Sequence, residues 1–301
     1  MFDNILVPLD GSEVAASILP YVGDLAQRLG ARVTLLTVLV PNQRTGETEA
    51  WAEAQAIVRR QALRLHDAGV NTNTLVVPGQ PAEEIANQAD AGEFSLVAIG
   101  TRGHSGLRRG VLGSVTDEVV RTSPVPVLVL SPQAVEKAAE TGFGLSTVTV
   151  PLDGSELAER VLPIAEELAQ QLSLQVQLLR VITLGSMAYY AAEGVTMDTA
   201  PIEEELEEEA NEYLNGIAHE VAQRGVSSVW FNVMRGSPAL SIIDHLRNTS
   251  NNLVTVSTHG RSGLGRLLIG SVADSIIRSA GVPVLVITPR DEEEGGEQID
   301  P

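Results

Sequence analysis

Ser95-Leu-Val-Ala-Ile-Gly-Thr-Arg-Gly103, nine further residues and Gly113-Ser-Val-Thr-Asp-Glu-Val-Val-Arg121 read as a strand, a glycine-bearing loop and a helix start. Such a junction gathers backbone N–H groups around a phosphate. Gly100, Gly103 and Gly113 let the main chain come close and take positive φ. Ser114 can cap the helix and offer a hydroxyl to an anion. The arrangement then recurs. Ser257-Thr-His-Gly260, nine residues and Gly270-Ser-Val272 follow Asn252-Leu-Val-Thr-Val256 and precede Ala273-Asp-Ser-Ile-Ile-Arg278. One loop alone is a weak signal; two with the same gap, each between strand and helix, are much stronger.

Outward from the loops, the rest of the chain also repeats. Asn4-Ile-Leu-Val-Pro-Leu-Asp-Gly-Ser12 returns as Thr147-Val-Thr-Val-Pro-Leu-Asp-Gly-Ser155, and Val125-Pro-Val-Leu-Val-Leu130 as Val282-Pro-Val-Leu-Val-Ile287. Between them, Glu13 to Leu29 reads as one helix closed by Gly30, Arg32 to Val40 as a buried strand, and Glu47 to Ala68 as a helix. Thr72 to Val77 is a third strand, and Pro81 opens a further helix. Pro126 argues for an edge position for the last strand. The second copy is longer, mostly in Thr183 to Pro201, which reads as loop. Residues 1–132 and 146–290 are therefore expected as two domains, with a linker over 133–145 and an acidic, disordered tail over 291–301.

Alternating βα units with apolar strands imply a parallel sheet covered on both faces. The expected class is α/β: two doubly wound, five-stranded, Rossmann-like domains in tandem. The last strands, Val125–Leu130 and Val282–Ile287, are expected to pair within one chain as a pseudo-dimer, because a short linker gives high effective concentration. A dimer of whole chains is compatible with this. Ligands of such sheets bind beyond the C-terminal strand ends, where the strand order switches. Asp10, the end of the second strand and the glycine loop converge there.

Composition narrows the chemistry. The chain has 301 residues, 44% of them hydrophobic, no cysteine and a net charge of −19. Disulfides, thiolate catalysis and cysteine metal sites are excluded. The negative field opposes nonspecific binding to nucleic acid or anionic membrane. No apolar run is long enough for a membrane span, and Met1 to Val7 has no secretory leader pattern, so a cytoplasmic protein is expected. Lys137 is the only lysine, which rules out a lysine-bearing P-loop. Backbone, hydroxyls and arginine must hold any phosphate.

These residues resemble the universal stress protein family, as a tandem of two such domains covering almost everything but linker and tail. Val-Pro-Leu-Asp-Gly-Ser, the G-x-x-G-x9-G-[ST] loop and Val-Pro-Val-Leu-Val carry the resemblance, each twice and in order. It implies a five-stranded parallel sheet that pairs through its last strand. Members with this loop generally bind ATP, and members without it do not. It further implies that Asp10 and Asp153, beside Pro8 and Pro151, hydrogen-bond the ribose or adenine side. Val38 and Val181 would meet adenine through main-chain groups. Gly100, Gly103, Gly113, Ser114 and Val115 would wrap ribose and phosphates in the first half, and Gly260, Gly270, Ser271 and Val272 in the second. Ser257 stands where the pattern has glycine, and its Cβ is expected to crowd the second site.

Other residues are weighed from their own chemistry. Asp10 and Asp153 also suit an Asx turn after a strand. Arg109 and Arg266 are equivalent and can fork onto a phosphate or remain surface residues. Arg102 with His259, and His104 with Arg261, are poor acids or bases in exposed loops. His66, His219 and His245 lack partners at metal spacing. No residue is assigned as catalytic. The favoured reading is an adenine-nucleotide-binding regulatory protein with ATP as ligand. The rivals are a slow ATPase, with Mg²⁺ bridging phosphates to Ser114 or Asp10, and a nucleotide-free interaction module.

Overall fold

The structure is a computed structural model that describes residues 2–40, 47–101, 112–183, 200–258 and 269–288. The first half contributes β1 (Asn4–Pro8), β2 (Arg32–Leu39), β3 (Thr72–Pro78), β4 (Leu96–Gly100) and β5 (Val127–Leu130). The second contributes β6 (Thr147–Pro151), β7 (Gln175–Ile182), β8 (Val229–Arg235), β9 (Asn252–Ser257) and β10 (Val284–Ile287). They form one sheet in the order β3-β2-β1-β4-β5-β10-β9-β6-β7-β8. Pairing is parallel within each half, with a switch in direction of travel at β1/β4 and at β6/β9. Among the described residues, the single antiparallel pair joins β5 to β10, with Leu128 opposite Leu285.

The strands are apolar on successive residues because helices cover both sheet faces. Ile5 and Val7 enter one core and Leu6 the other, all three without exposure. The same alternation sends Leu128 and Leu285 into the first core, and Val127, Val129, Val284 and Val286 into the second. Each core therefore runs through both halves beneath the seam. Leu128 and Leu285 occupy the same place in the two repeats, so their pairing marks a pseudo-two-fold axis.

Several local expectations need correction. The stretch from Glu13 to Leu29 is two helices, Glu13–Ala16 and Leu19–Leu29. Pro20 has no N–H to give the carbonyl of Ala16, and its ring would clash there. Pro163 makes the same break between Glu156–Glu159 and Leu162–Leu172. The segment read as a linker carries a helix, Pro132–Glu140. Ser131 caps it by accepting from the Ala134 N–H at 3.1 Å, and Ala134 and Val135 are buried. Pro126 lies outside β5, where its carbonyl accepts from Val97, and β5 is paired on both sides. The sheet edges are β3 and β8. Most of the second half's extra segment, residues 184–199, and the acidic tail lie outside the described residues.

Facing leucines in an antiparallel ladder stand close enough for one to support the other. Leu128→Ala and Leu285→Ala are each expected to lower the unfolding free energy by about 2–5 kcal/mol in urea titrations. The double variant should lose less than the sum, because the first truncation already removes the shared contact.

Candidate functional site

Each half leaves a cleft where its first strand stops short of its neighbours. In the first half, β1 ends at Pro8, and the Leu9 N–H donates to the Leu36 carbonyl at 2.8 Å before the chain turns away. The Leu39 carbonyl faces β3, accepting from Gly79. Strand alternation then turns the main-chain groups of Val38 to the side that β1 has vacated. Leu152 and Leu179 repeat the contact at 2.7 Å, which gives Val181 the same outlook.

The turn after β1 is organised by Asp10. Its Oδ1 accepts from the Ser12 N–H at 3.0 Å and from the Ser12 hydroxyl at 2.6 Å. Ser12 Oγ in turn accepts from the Ala15 N–H, capping the first helix. Asp153, Ser155 and Ala158 repeat the set at 3.0, 2.6 and 3.2 Å. The intervening Gly11 and Gly154 hold φ of 86° and 84°, which demands glycine. The Asx-turn reading is thus realised in both copies, and it fixes each carboxylate at the rim of its cleft.

The glycine loops return to where they start. The Gly113 N–H donates to the Thr101 carbonyl at 2.9 Å, and the Gly270 N–H to Thr258 at 2.7 Å. The Thr116 hydroxyl ties the helix to the end of β4 through the Gly100 carbonyl at 2.8 Å. Two expectations change here. Ser114 and Ser271 are the first helical residues, and the caps are Gly113 and Gly270, with no side-chain hydrogen bond. Gly113 and Gly270 have φ of −65° and −58°, open to any residue, so positive φ is not the reason for glycine. A Cβ on Gly113 would meet Thr101 O at 3.4 Å, an ordinary contact. What glycine provides is open approach to a helix end whose first N–H groups have no side-chain acceptor. The helices that begin after Ser12, Ser131 and Ser155 are closed by serine hydroxyls instead.

In the second half the predicted residues that are described share one cavity of about 440 Å³. Pro151, Asp153, Val181, Gly270, Ser271 and Val272 line it, and Ser257 stands in its wall without filling it. That volume falls within the ordinary range for small-molecule sites. Asp153 and Arg180 are the charged residues of the lining. Arg180 is 13% exposed, with Nη2 3.5 Å from Glu209 Oε1 and its guanidinium 4.8 Å from the Tyr213 ring centroid. Arg180 thus lines the cavity and also lies over the Tyr213 ring. The Tyr213 hydroxyl donates to Glu159 at 2.7 Å. Burial, then that hydrogen bond, push its pKa well above the usual range, so it remains a donor.

Arg180 was not among the residues chosen from the sequence. Its signal was a lone charge inside the apolar run Gln175–Ile182, at the place of Thr37 in the first repeat. Thr37 has no charge to offer, and its hydroxyl donates to the Leu9 carbonyl at 3.0 Å. In the first half, Pro8, Asp10, Val38, Gly100, Gly113, Ser114 and Val115 hold the equivalent strand-end positions. Gly103, Arg109, Gly260 and Arg266, with Arg102, His104, His259 and Arg261, lie outside the described residues. His245 hydrogen-bonds Gln177 at 2.8 Å, and burial lowers its pKa; His219 pairs with Gln223. The described residues contain no cluster of three or more metal-ligating side chains and no helix long and apolar enough to cross a membrane.

A model described as the Universal stress protein family matches residues 1–131 and 144–288. A universal stress protein of Mycobacterium tuberculosis is 31% identical over 204 residues, 67% of this chain and 63% of that relative. The match thus spans less than two thirds of the relative's length. One from Bacillus subtilis is 31% identical over 147 residues, 43% of this chain and 99% of its own length. The crystal structure of a universal stress protein from Archaeoglobus fulgidus has a TM-score of 0.73 at 22% identity, covering 96% of this chain and 99% of that one. That likeness extends the fold across both halves.

The double role of the aspartates can be separated. Asp153→Asn keeps an acceptor for Ser155 and should leave stability within about 0.5 kcal/mol. Asp153→Ala removes it and should cost about 1 kcal/mol in chemical denaturation.

Proposed function

The chain belongs to the universal stress protein family, and we propose that it is an adenine-nucleotide-binding regulatory member that holds ATP in one or both halves. The observation that carries this reading is the second-half cavity, where a glycine-capped helix end, Asp153 and the exposed main chain of Val181 surround one ligand-sized space. Physical chemistry assigns the parts. Phosphates belong at the N-termini of the Ser114 and Ser271 helices, where unpaired N–H groups and the helix dipole favour negative charge. Arg109 and Arg266 would fork onto them from the loops. Asp10 and Asp153 meet ribose hydroxyls, and the main chains of Val38 and Val181 meet the base edge. Mg²⁺ bound with the nucleotide would offset phosphate charge. The reading includes lasting β5–β10 pairing in solution and a cytoplasmic setting.

Arg180 gives the second half a feature of its own. β7 lies two strands from β9, about 10 Å away, which on this reading puts Arg180 at the base end of the cavity, away from the phosphates. A guanidinium backed by a tyrosine ring presents a flat cationic surface for a purine to stack on. Arg180→Thr should weaken binding in the second half about tenfold, by the same factor for AMP and ATP, for a contact of roughly 1–2 kcal/mol. A loss that grows with phosphate number would move Arg180 to the phosphate end.

The decisive test is mass spectrometry of small molecules released by denaturing the purified chain, with the molar ratio per chain. Intact adenylate at one or two per chain supports the reading. None, with no thermal shift on adding ATP, overturns it. Gly113→Val should abolish binding in the first half alone, because the branched side chain fills the approach to the helix end. Calorimetry on that variant should show one class of site fewer.

A further inference from the structure

β3 and β8 are the free margins of the sheet, and the chain's only two tryptophans stand beside them. Trp230 lies on β8 and is 41% exposed. Trp51 lies on the Glu47–Asp67 helix, which packs on β3, and is 37% exposed. Tryptophan carries a large apolar area and is enriched where proteins meet.

The main chain of β8 is open. The Val176 N–H donates to Ser228 and the Gly236 N–H to Ile182, so strand alternation turns Val229, Phe231, Val233 and Arg235 outward. Among the described residues no strand pairs with that side. Natural edges are blunted by proline, lysine or a bulge, and β8 has neither proline nor lysine. In β3 the bonds from Val33 to Asn71 and from Gly79 to Leu39 turn Thr72, Thr74, Val76 and Pro78 outward in the same way.

β3 and β8 run antiparallel, because the β5–β10 pair reverses direction between the halves. A second copy in the same orientation, displaced along the sheet, therefore brings its β3 antiparallel to this β8. Both strands have seven residues. Full overlap sets Val76 against Phe231, Thr74 against Val233 and Pro78 against Val229, outward residue against outward residue, as an antiparallel ladder requires. Val76 and Phe231 pack on the same core as the helices Glu47–Asp67 and Ala200–Gln223, so these helices of the two copies share one face. Pro78 has no N–H to give, which leaves the ladder weakest at that end.

The weak end has a second contact. Beside Val229 lies an open hollow of about 700 Å³, walled by Ala218, His219, Ala222 and Trp230. The counterpart of Trp51 in the second half is Glu207, since the buried Ala54 and Val58 correspond to Ala210 and Leu214. Glu207 bonds Arg235, the last residue of β8, so Trp51 has its place over Pro78, the last residue of β3. With Pro78 set against Val229, the second copy's Trp51 comes to the hollow.

We propose that β8 and its hollow bind the β3 edge and Trp51 of a second copy of this chain, joining copies head to tail into a longer continuous sheet. The contact uses different surfaces on its two sides and leaves one of each open, so assembly passes beyond two chains.

The test is sedimentation equilibrium of the full chain over a range of concentrations. About 0.15 M salt screens the repulsion between copies of net charge −19 beyond about 8 Å. Mass that rises with concentration past two chains supports the proposal. A one-chain mass up to about 1 mM, where even weak contacts are populated, overturns it, as does a closed limit of two chains. Two substitutions of exposed residues assign the surfaces. Trp51→Glu and Ala222→Glu should each weaken association about thirtyfold, the loss expected at one anchoring position. Mixed in equal amounts, they should form two-chain complexes and stop there, because one variant keeps the hollow and the other the tryptophan. That recovery also shows that both variants fold. Variants that assemble as readily as the native chain, or a mixture that stays at one-chain mass, overturn the proposal.

Discussion

The structure depends on one short antiparallel ladder between β5 and β10 in a sheet that is otherwise parallel. Because each half is parallel throughout, that one reversal sets every strand of the first half against every strand of the second. The C-terminal strand ends, where both candidate sites lie, therefore fall on opposite margins of the sheet. The ladder also carries each core across both halves, since Leu128 and Leu285 share one face and Val127 and Val286 the other. Val-Pro-Val-Leu-Val serves both purposes. The proline stands just before each strand, which begins at Val127 or Val284, and the alternating aliphatic residues fill a core on each face.

The helices that open into the two sites meet at this seam. Asp117 pairs with Arg121 at 2.8 Å on one, Asp274 with Arg278 at 2.8 Å on the other, and Arg278 reaches Asp117 at 3.5 Å across the join. These groups are about a quarter to a third exposed, so the pairs add little stability, of the order of 1 kcal/mol or less each. Their effect is better seen as charge placement. Asp117 and Asp274 lie in the first turns of helices whose ends are suited to anions, and each arginine offsets a carboxylate that would otherwise repel one. The Thr288 hydroxyl adds a cross-seam bond to the Val120 carbonyl at 3.1 Å.

The fold was legible because its signals are periodic and doubled. Strand, glycine loop and helix occur twice at one spacing, and that fixes strand direction and the location of the clefts. The misreadings have local causes. Glu13 to Leu29 was read as one helix because the residues around Pro20 keep the helical period, although the missing N–H breaks the ladder four residues back. The helix over Pro132–Glu140 went unread in the linker segment, yet serine at a cap and proline in the first turn announce a helix. The glycine caps were read one residue late, because serine is the commoner capping residue. Arg180 was hidden for a different reason: only the fold shows that the helix beginning at Ala200 brings Glu209 and Tyr213 against it.

What the two halves share and where they differ separates the common scaffold from the walls of each cleft. Both keep the aspartate–serine turn, the glycine-capped helix and the early end of the first strand, which are the backbone features of the candidate site. The side chains around those features diverge. Gly100 corresponds to Ser257, Thr116 to Ala273 and Thr37 to Arg180. In the first half, hydroxyls of Thr116 and Thr37 are spent on the carbonyls of Gly100 and Leu9, which tightens the strand ends. In the second, the place of Thr37 holds a ring-backed guanidinium that lines the cavity. A duplicated scaffold locked by one apolar ladder can vary its walls in each copy, because none of these three positions lies in the paired strands β5 and β10.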